Sequence, residues 1–213
     1  MPLNSAIKRM LKTYNQCRTY SDQGSFYNSS GPLGLEYSTE FERSKQFKLA
    51  WRQVKDDPGA ELMSGELNAN SKGTTVTMRL EKADWPEPRV KNRDYVMVFD
   101  ALADIEGVIQ SLVIVPQYLF YPPDEIVATG QFNAFQESEE VIFNDEACVK
   151  FTTMNSGIRR ELVLSQVDGT LRRHFMGTGL QEGGDDLLSA LGAPMSNCLD
   201  VRSVKLEAGI YSE

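Results

Sequence analysis

Two neighbouring runs constrain this chain most. Leu33, Leu35, Tyr37, Thr39 and Phe41 alternate with Gly34, Glu36, Ser38, Glu40 and Glu42, while Phe47, Leu49 and Trp51 alternate with Gln46, Lys48 and Arg52. A period of two puts one set of side chains on a buried face and the other in water. The link Glu42-Arg43-Ser44-Lys45 joins the two runs as an antiparallel hairpin with a wet, acidic outer face.

The flanking segments extend the same pattern. Residues 4–16 read as a helix, with Asn4 or Ser5 as cap and Ile7, Met10, Leu11 and Tyr14 at helical spacing. Residues 56–72 are polar and rich in Gly, Asn and Ser, and are expected to form a loop. Alternation returns through Val76, Met78 and Leu80, breaks at Trp85-Pro86-Glu87-Pro88, and resumes in Tyr95, Met97 and Phe99 as a further strand. Asp100 can then cap a short helix carrying Leu102, Ile105, Val108 and Ile109. A nearly continuous apolar run, Val113 to Tyr121, ends at Pro122-Pro123. Strands are expected again over Ile126–Phe135, Glu140–Phe143, Ala147–Thr153 and Leu162–Leu164. Val167-Asp168-Gly169-Thr170 marks a hairpin whose return strand holds Leu171 and Phe175.

The sum is an α+β chain, mainly antiparallel β: one incomplete, curved half-barrel of about nine to ten strands, with an N-terminal helix and a central helical lid. The expected organisation is a single domain over 1–176. Residues 177–213, acidic and Gly-rich, read as a C-terminal tail or flap packed on it, or as the last edge of the sheet. The stretch Val108–Tyr121 is interrupted by Gln110, Ser111, Pro116 and Gln117, and is too short to span a bilayer.

Charge and reactive side chains narrow the chemistry. With 22 basic and 30 acidic residues the net charge is −8, unsuited to nucleic acid or to permanent contact with an anionic membrane. Arg159-Arg160 and Arg172-Arg173 read as polar strand edges. The single histidine, His174, lies in Leu171-Arg172-Arg173-His174-Phe175 without a nucleophile beside it. It is expected to be structural, although an enzyme built on this chain would have to use it. Cys17, Cys148 and Cys198 lack C-x-x-C spacing, and their number allows one disulfide or three free thiols. No basic segment followed by an apolar core opens the chain, so the expected address is extracytoplasmic if a leader was removed and cytoplasmic if Met1 is the start.

Motif matches are weak. Ser5-Ala6-Ile7-Lys8 has S-x-x-K form without the companion S-D-N or K-T-G. Gly177-Thr178-Gly179 with Gly183-Gly184 is followed by Asp185 and Asp186, which repel phosphate. Neither Glu182-Asp185-Asp186 nor Asp56-Asp57 has the calcium-loop spacing. Glu36, Glu40 and Glu42 share one strand face, as a solvated row does. Asn28-Ser29-Ser30 is a glycosylation triplet in an expected turn. No catalytic residue, metal or cofactor is expected.

The apolar inventory is more informative. Leu35, Tyr37, Phe41, Phe47, Leu49, Trp51, Met78, Tyr95, Met97 and Phe99 fall on strand faces, and Leu119 on the run that follows. They are either an ordinary core or the floor of an apolar cavity. Tyr14-Asn15-Gln16-Cys17-Arg18-Thr19-Tyr20-Ser21-Asp22-Gln23-Gly24 follows the first helix. After it come Phe41-Glu42-Arg43-Ser44-Lys45-Gln46-Phe47-Lys48-Leu49, Val115-Pro116-Gln117-Tyr118-Leu119-Phe120 and Asp168-Gly169-Thr170-Leu171-Arg172-Arg173. This order, covering residues 4–176, resembles the LolA-like superfamily of outer-membrane lipoprotein-sorting and carrier-like periplasmic proteins. The resemblance implies a lidded half-barrel that holds lipid acyl chains without chemistry. The expected function is therefore non-enzymatic binding of a lipid, lipoprotein or other apolar molecule. The alternative is a protein-interaction or sensor module of the cell envelope with a filled core.

Overall fold

The computed structural model describes residues 4–28, 33–54, 62–82, 85–106, 110–135, 138–155, 157–178 and 196–208. Helix α1 (Ser5–Gln16) starts where the Asn4 side chain accepts the Ala6 N–H at 2.9 Å. Its buried stripe is Ile7, Met10, Leu11 and Tyr14. At its far end Arg43, from the following hairpin, donates to the carbonyls of Tyr14 and Cys17, both at 2.9 Å, and so satisfies acceptors that a helix terminus leaves open.

Eleven strands follow the antiparallel pattern throughout. They are β1 (Cys17–Asn28), β2 (Leu33–Glu42), β3 (Gln46–Gln53), β4 (Leu62–Asn70), β5 (Gly73–Glu81) and β6 (Arg89–Tyr95), then β7 (Ser138–Phe143), β8 (Glu146–Asn155), β9 (Ile158–Ser165), β10 (Leu171–Thr178) and β11 (Ser196–Ala208). Their order is β6-β5-β4-β3-β2-β1-β11-β10-β9-β8-β7. Two meanders are thus joined through β1 and β11, and β6 and β7 end the sheet without closing it. This is the open, curved half-barrel expected from the sequence.

Three register shifts accompany the curvature, and each inserts an arginine. Arg18 is the extra residue of β1 against β11, Arg202 that of β11 against β1, and Arg172 that of β10 against β9. A bulge bends its strand and increases twist; Arg18 and Arg202 keep their cations exposed at the bend, whereas Arg172 is buried and paired with Glu146 and Asp168. Gly24 lies at the second bulge because nothing larger fits. A Cβ there would stand 1.9 Å from the Asp200 carbonyl oxygen and 2.7 Å from the Tyr37 ring. Gly24→Ala is expected to lower stability by about 3 kcal/mol, since a backbone oxygen cannot swing aside as a side chain can. Urea unfolding monitored by circular dichroism measures it, and an unchanged midpoint would contradict this packing.

The central insert lies on the inner face of the sheet. It comprises α2 (Val98–Glu106), a 3-10 turn over Gln110–Val113, α3 (Ile114–Phe120) and α4 (Pro123–Ala128). Together with α1 it joins both halves of the sheet in one apolar core.

Four expectations give way. Leu62–Asn70, expected within a loop, is strand β4: Met63, Leu67 and Ala69 alternate with Ser64, Glu66 and Asn68, and Gly65 blanks one apolar position. Residues 126–135 form no strand. Pro123 at the helix start, with Asp124 and Glu125 in the first turn, nucleates α4 instead, followed by turns. Met97 and Phe99 do not continue the strand of Tyr95, which ends β6; Phe99 belongs to α2. Within the expected flap, residues 196–208 form β11, an interior strand paired on both sides. Its inward set is Leu199, Val201, Val204 and Leu206, and the bulge at Arg202 breaks the period that would have revealed it. Residues 55–61, 107–109 and 179–195 lie outside the described residues, and with them Asp56, Asp57, Val108, Ile109, Glu182, Asp185 and Asp186; so do Ser29 and Ser30 of the glycosylation triplet.

Candidate functional site

Strand alternation builds the inner face. Leu35, Tyr37 and Phe41 of β2 and Phe47, Leu49 and Trp51 of β3 all point inward and are buried in the common core. Trp51 lies flat over β4, where a Cβ on Gly65 would come within 2.1 Å of the indole. Met78 of β5 and Tyr95 of β6 are partly buried against the same core. Leu119 is fully buried but belongs to α3, so it is part of the cover rather than the floor. Met97 stands apart, 52% exposed, in the turn before α2.

The cover meets the floor through aromatic rings. Phe120 of α3 stands edge-on to Phe41 at 5.5 Å, Phe47 at 5.0 Å and Phe99 of α2 at 6.0 Å. Tyr118, two residues earlier on α3 and so on another side of the helix, packs on Tyr14 at 5.7 Å and Phe132 at 6.1 Å, and Phe135 reaches Phe151 of β8 at 6.4 Å. α2 is latched to the sheet edge by Asp104, which accepts from Arg93 at 2.8 Å and from the Tyr95 hydroxyl. That ion pair is solvent-exposed, so water and salt screen it and it holds α2 only weakly.

Under the cover lies a polar cluster that the sequence reading missed. Asp22 of β1 faces inward, directly opposite Thr39 of β2. Both are buried, at 2% and 1% exposure. Asp22 Oδ2 accepts from the hydroxyls of Tyr20 at 2.9 Å and Tyr37 at 3.4 Å. Burial raises the carboxyl pKa to about 6, partly offset by the neighbouring Thr39, Tyr20 and Tyr37 groups. Thr39, facing Asp22 across the β1–β2 pair, is the hydrogen-bonding group that most favours the carboxylate, while the Trp51 indole N–H has no hydrogen-bond partner among the described residues. The signal was present in Tyr20, Asp22, Gly24 and Phe26, where a carboxylate occupies the apolar phase of a strand.

The other candidates lie away from this cluster, although His174 of β10 and Cys17 of β1 share the inward face. His174 of β10 sits beside Leu162 and Leu199; burial, with a contribution from Arg160, lowers its pKa to about 4. Cys17, Cys148 and Cys198 are unpaired, and burial raises all three thiols, Cys198 to about 11. The basic pair is absorbed by ion pairing. Arg172 donates to Glu146, Asp168 and Thr170, and Arg173 grips Asp200 in bidentate fashion at 2.6 and 2.8 Å. Glu36 pairs with Arg52 at 2.7 Å and Glu42 with Lys45. A shallow groove of about 350 Å³ crosses the outer face between Glu36, Ser38, Ala50, Arg52 and the bulged Arg202. A second cleft of about 400 Å³ lies where Arg9 of α1 donates to the carbonyls of Gln166 and Val167. No three metal-ligating side chains converge among the described residues, and no described helix is long and apolar enough to cross a membrane.

No family model matches the chain, and no curated protein does. Among solved structures it is similar to MucB, at 12% identity and a TM-score of 0.40, over 97% of this chain and 59% of MucB. The MucA/MucB complex of Pseudomonas aeruginosa gives 10% identity and 0.36, over 97% and 57%. A beta-barrel-like protein of a domain of unknown function from Brucella abortus gives 8% and 0.31, over 90% and 99%. The chain thus spans about three-fifths of MucB.

Proposed function

We propose that this chain is a non-enzymatic carrier or sensor outside the cytoplasm. It binds a hydrophobic molecule, such as a lipid or lipoprotein acyl chain, on the inner face of the half-barrel, where the helical insert now lies. The observation that carries the reading is Phe120, whose ring is the insert's own apolar plug on the floor of Phe41 and Phe47. The insert suits an exchangeable cover. Its helices of 9, 7 and 6 residues are too short to persist alone, and their edge latch is exposed. An acyl chain replacing the insert buries comparable apolar area, so the exchange at ~25 cal/mol per Å² leaves little net difference.

An environment-sensitive apolar dye tests this. Saturable binding to the whole chain, reversed by a long-chain alcohol, is expected; a dye signal that never saturates would contradict it. In that case the protein-interaction reading gains. It draws on the open edge β6, where Arg89, Lys91 and Arg93 share one face and would meet an acidic extended segment added as a further strand.

A further inference from the structure

We propose that the two open edges of the sheet bind each other between copies of this chain, β6 of one against β7 of the next. The edges alone carry this, and what fills the inner face plays no part. Among the described strands β6 pairs only with β5, and β7 only with β8. An edge offers a row of unpaired N–H and C=O groups, which a further strand completes. The two strands are of similar length, seven and six residues, and both are exposed along most of it. Each also holds a large β-branched side chain out in water, Val90 at 54% and Ile142 at 74% exposure. Such side chains gain from neighbours on a pleated surface, and here one flank has none.

Charge decides which edges meet. Arg89, Lys91 and Arg93 lie opposite Leu80, Met78 and Val76, so the basic row of β6 faces inward. Arg93 is matched by Asp104, Arg89 stacks on the Trp85 ring at 4.0 Å, and Lys91 acts on Asp104 only at longer range. On β7, Glu139 is matched by Lys150 at 3.0 Å. Glu140, opposite Val149 and also inward, joins no ion pair among the described residues. Like edges therefore repel, cation on cation at β6 and acid on acid at β7. Charged edges commonly keep sheets from pairing, but opposite signs on the two edges leave the unlike pairing favoured. In a sheet that is antiparallel throughout, the first and eleventh strands run the same way. A copy in the same orientation thus lays its β7 parallel to β6, and the inner faces are continuous. Glu140 then enters the row of Arg89 and Lys91. Because the two surfaces differ, the junction is head to tail, and it repeats until a pair or ring of copies closes.

Sedimentation velocity of the whole chain, from micromolar to submillimolar concentration at low salt, tests this. The parent is expected to form species of two or more chains, and added salt to weaken them. Lys91→Glu and Glu140→Lys are each expected to weaken assembly about tenfold, by turning an attraction across the junction into a repulsion. Both side chains are exposed, so melting curves of the two variants are expected to match the parent. Mixed in equal amounts, the two variants are expected to regain the assembly of the parent, since each offers the edge that the other needs. A parent that sediments as a single chain at every concentration would overturn the inference. So would assembly that neither reversal weakens, or that mixing fails to restore. The ligand reading is unaffected by any of these results, because dye binding to the single chain measures it separately.

Discussion

Replacing Asp22 with Asn raises the melting temperature near neutral pH by roughly 6–12 °C. Burial holds the carboxyl protonated up to about 6, against an ordinary value of 3.8. Between those values the unfolded chain has released a proton that the folded chain keeps, so stability falls as pH rises through the window. The loss amounts to about 3 kcal/mol once Asp22 is ionised. Asn keeps an oxygen for Tyr20 and Tyr37 and carries no charge to bury.

His174 runs the other way. Its pKa falls from 6.5 to about 4, so the unfolded chain takes up a proton that the folded chain refuses, and stability falls as pH drops through that range, again by about 3 kcal/mol. Between about pH 4 and 6 the two slopes oppose each other. The Asp22→Asn chain is therefore expected to lose stability on acidification from 6 to 4, and His174→Gln to gain it. Melting curves across this range check both signs; parallel curves for parent and variants would show that neither group is buried as described.

Phe120→Ala is the second large effect. The ring touches Phe41, Phe47 and Phe99, and its removal is expected to lower stability by about 3 kcal/mol. Unlike an ordinary core truncation, it is also expected to increase uptake of the apolar dye, because it withdraws the plug and spares the floor. Phe151→Ala in β8, where the ring is fully buried, serves as the comparison. It lowers stability at least as much, with no gain in uptake at Phe41 and Phe47. Equal dye uptake by the two variants would make Phe120 a core residue and nothing more.

Much of the architecture was legible because strand alternation is a direct consequence of a one-sided core. The hairpin of β2 and β3, α1, and the meander from β8 to β10 all announce themselves by period. What escaped did so for local reasons. Gly65 interrupts the apolar phase of β4 to make room for the Trp51 ring. Arg202 shifts the phase of β11, and its partner strand lies at the opposite end of the chain, where periodicity carries no information. In the site, the aromatic floor was readable from parity. Met97 and Phe99 kept that parity only by accident of composition, because a turn and a helix begin there. Thr39 was readable in the buried phase of β2, but Asp22 was hidden by its residue type, being a carboxylate in a position that alternation assigns to the core.

Native-state hydrogen exchange tests the central claim most directly, because it asks whether the cover opens while the sheet stays folded. Amides of α2, α3 and α4 are expected to exchange at least about 100-fold faster than those of β1, β2 and β11, through local opening well below the free energy of global unfolding, and to slow when a long-chain alcohol is bound. Protection of the insert equal to that of β1 and β11, unaltered by the alcohol, would mean that helices and sheet form one inseparable core.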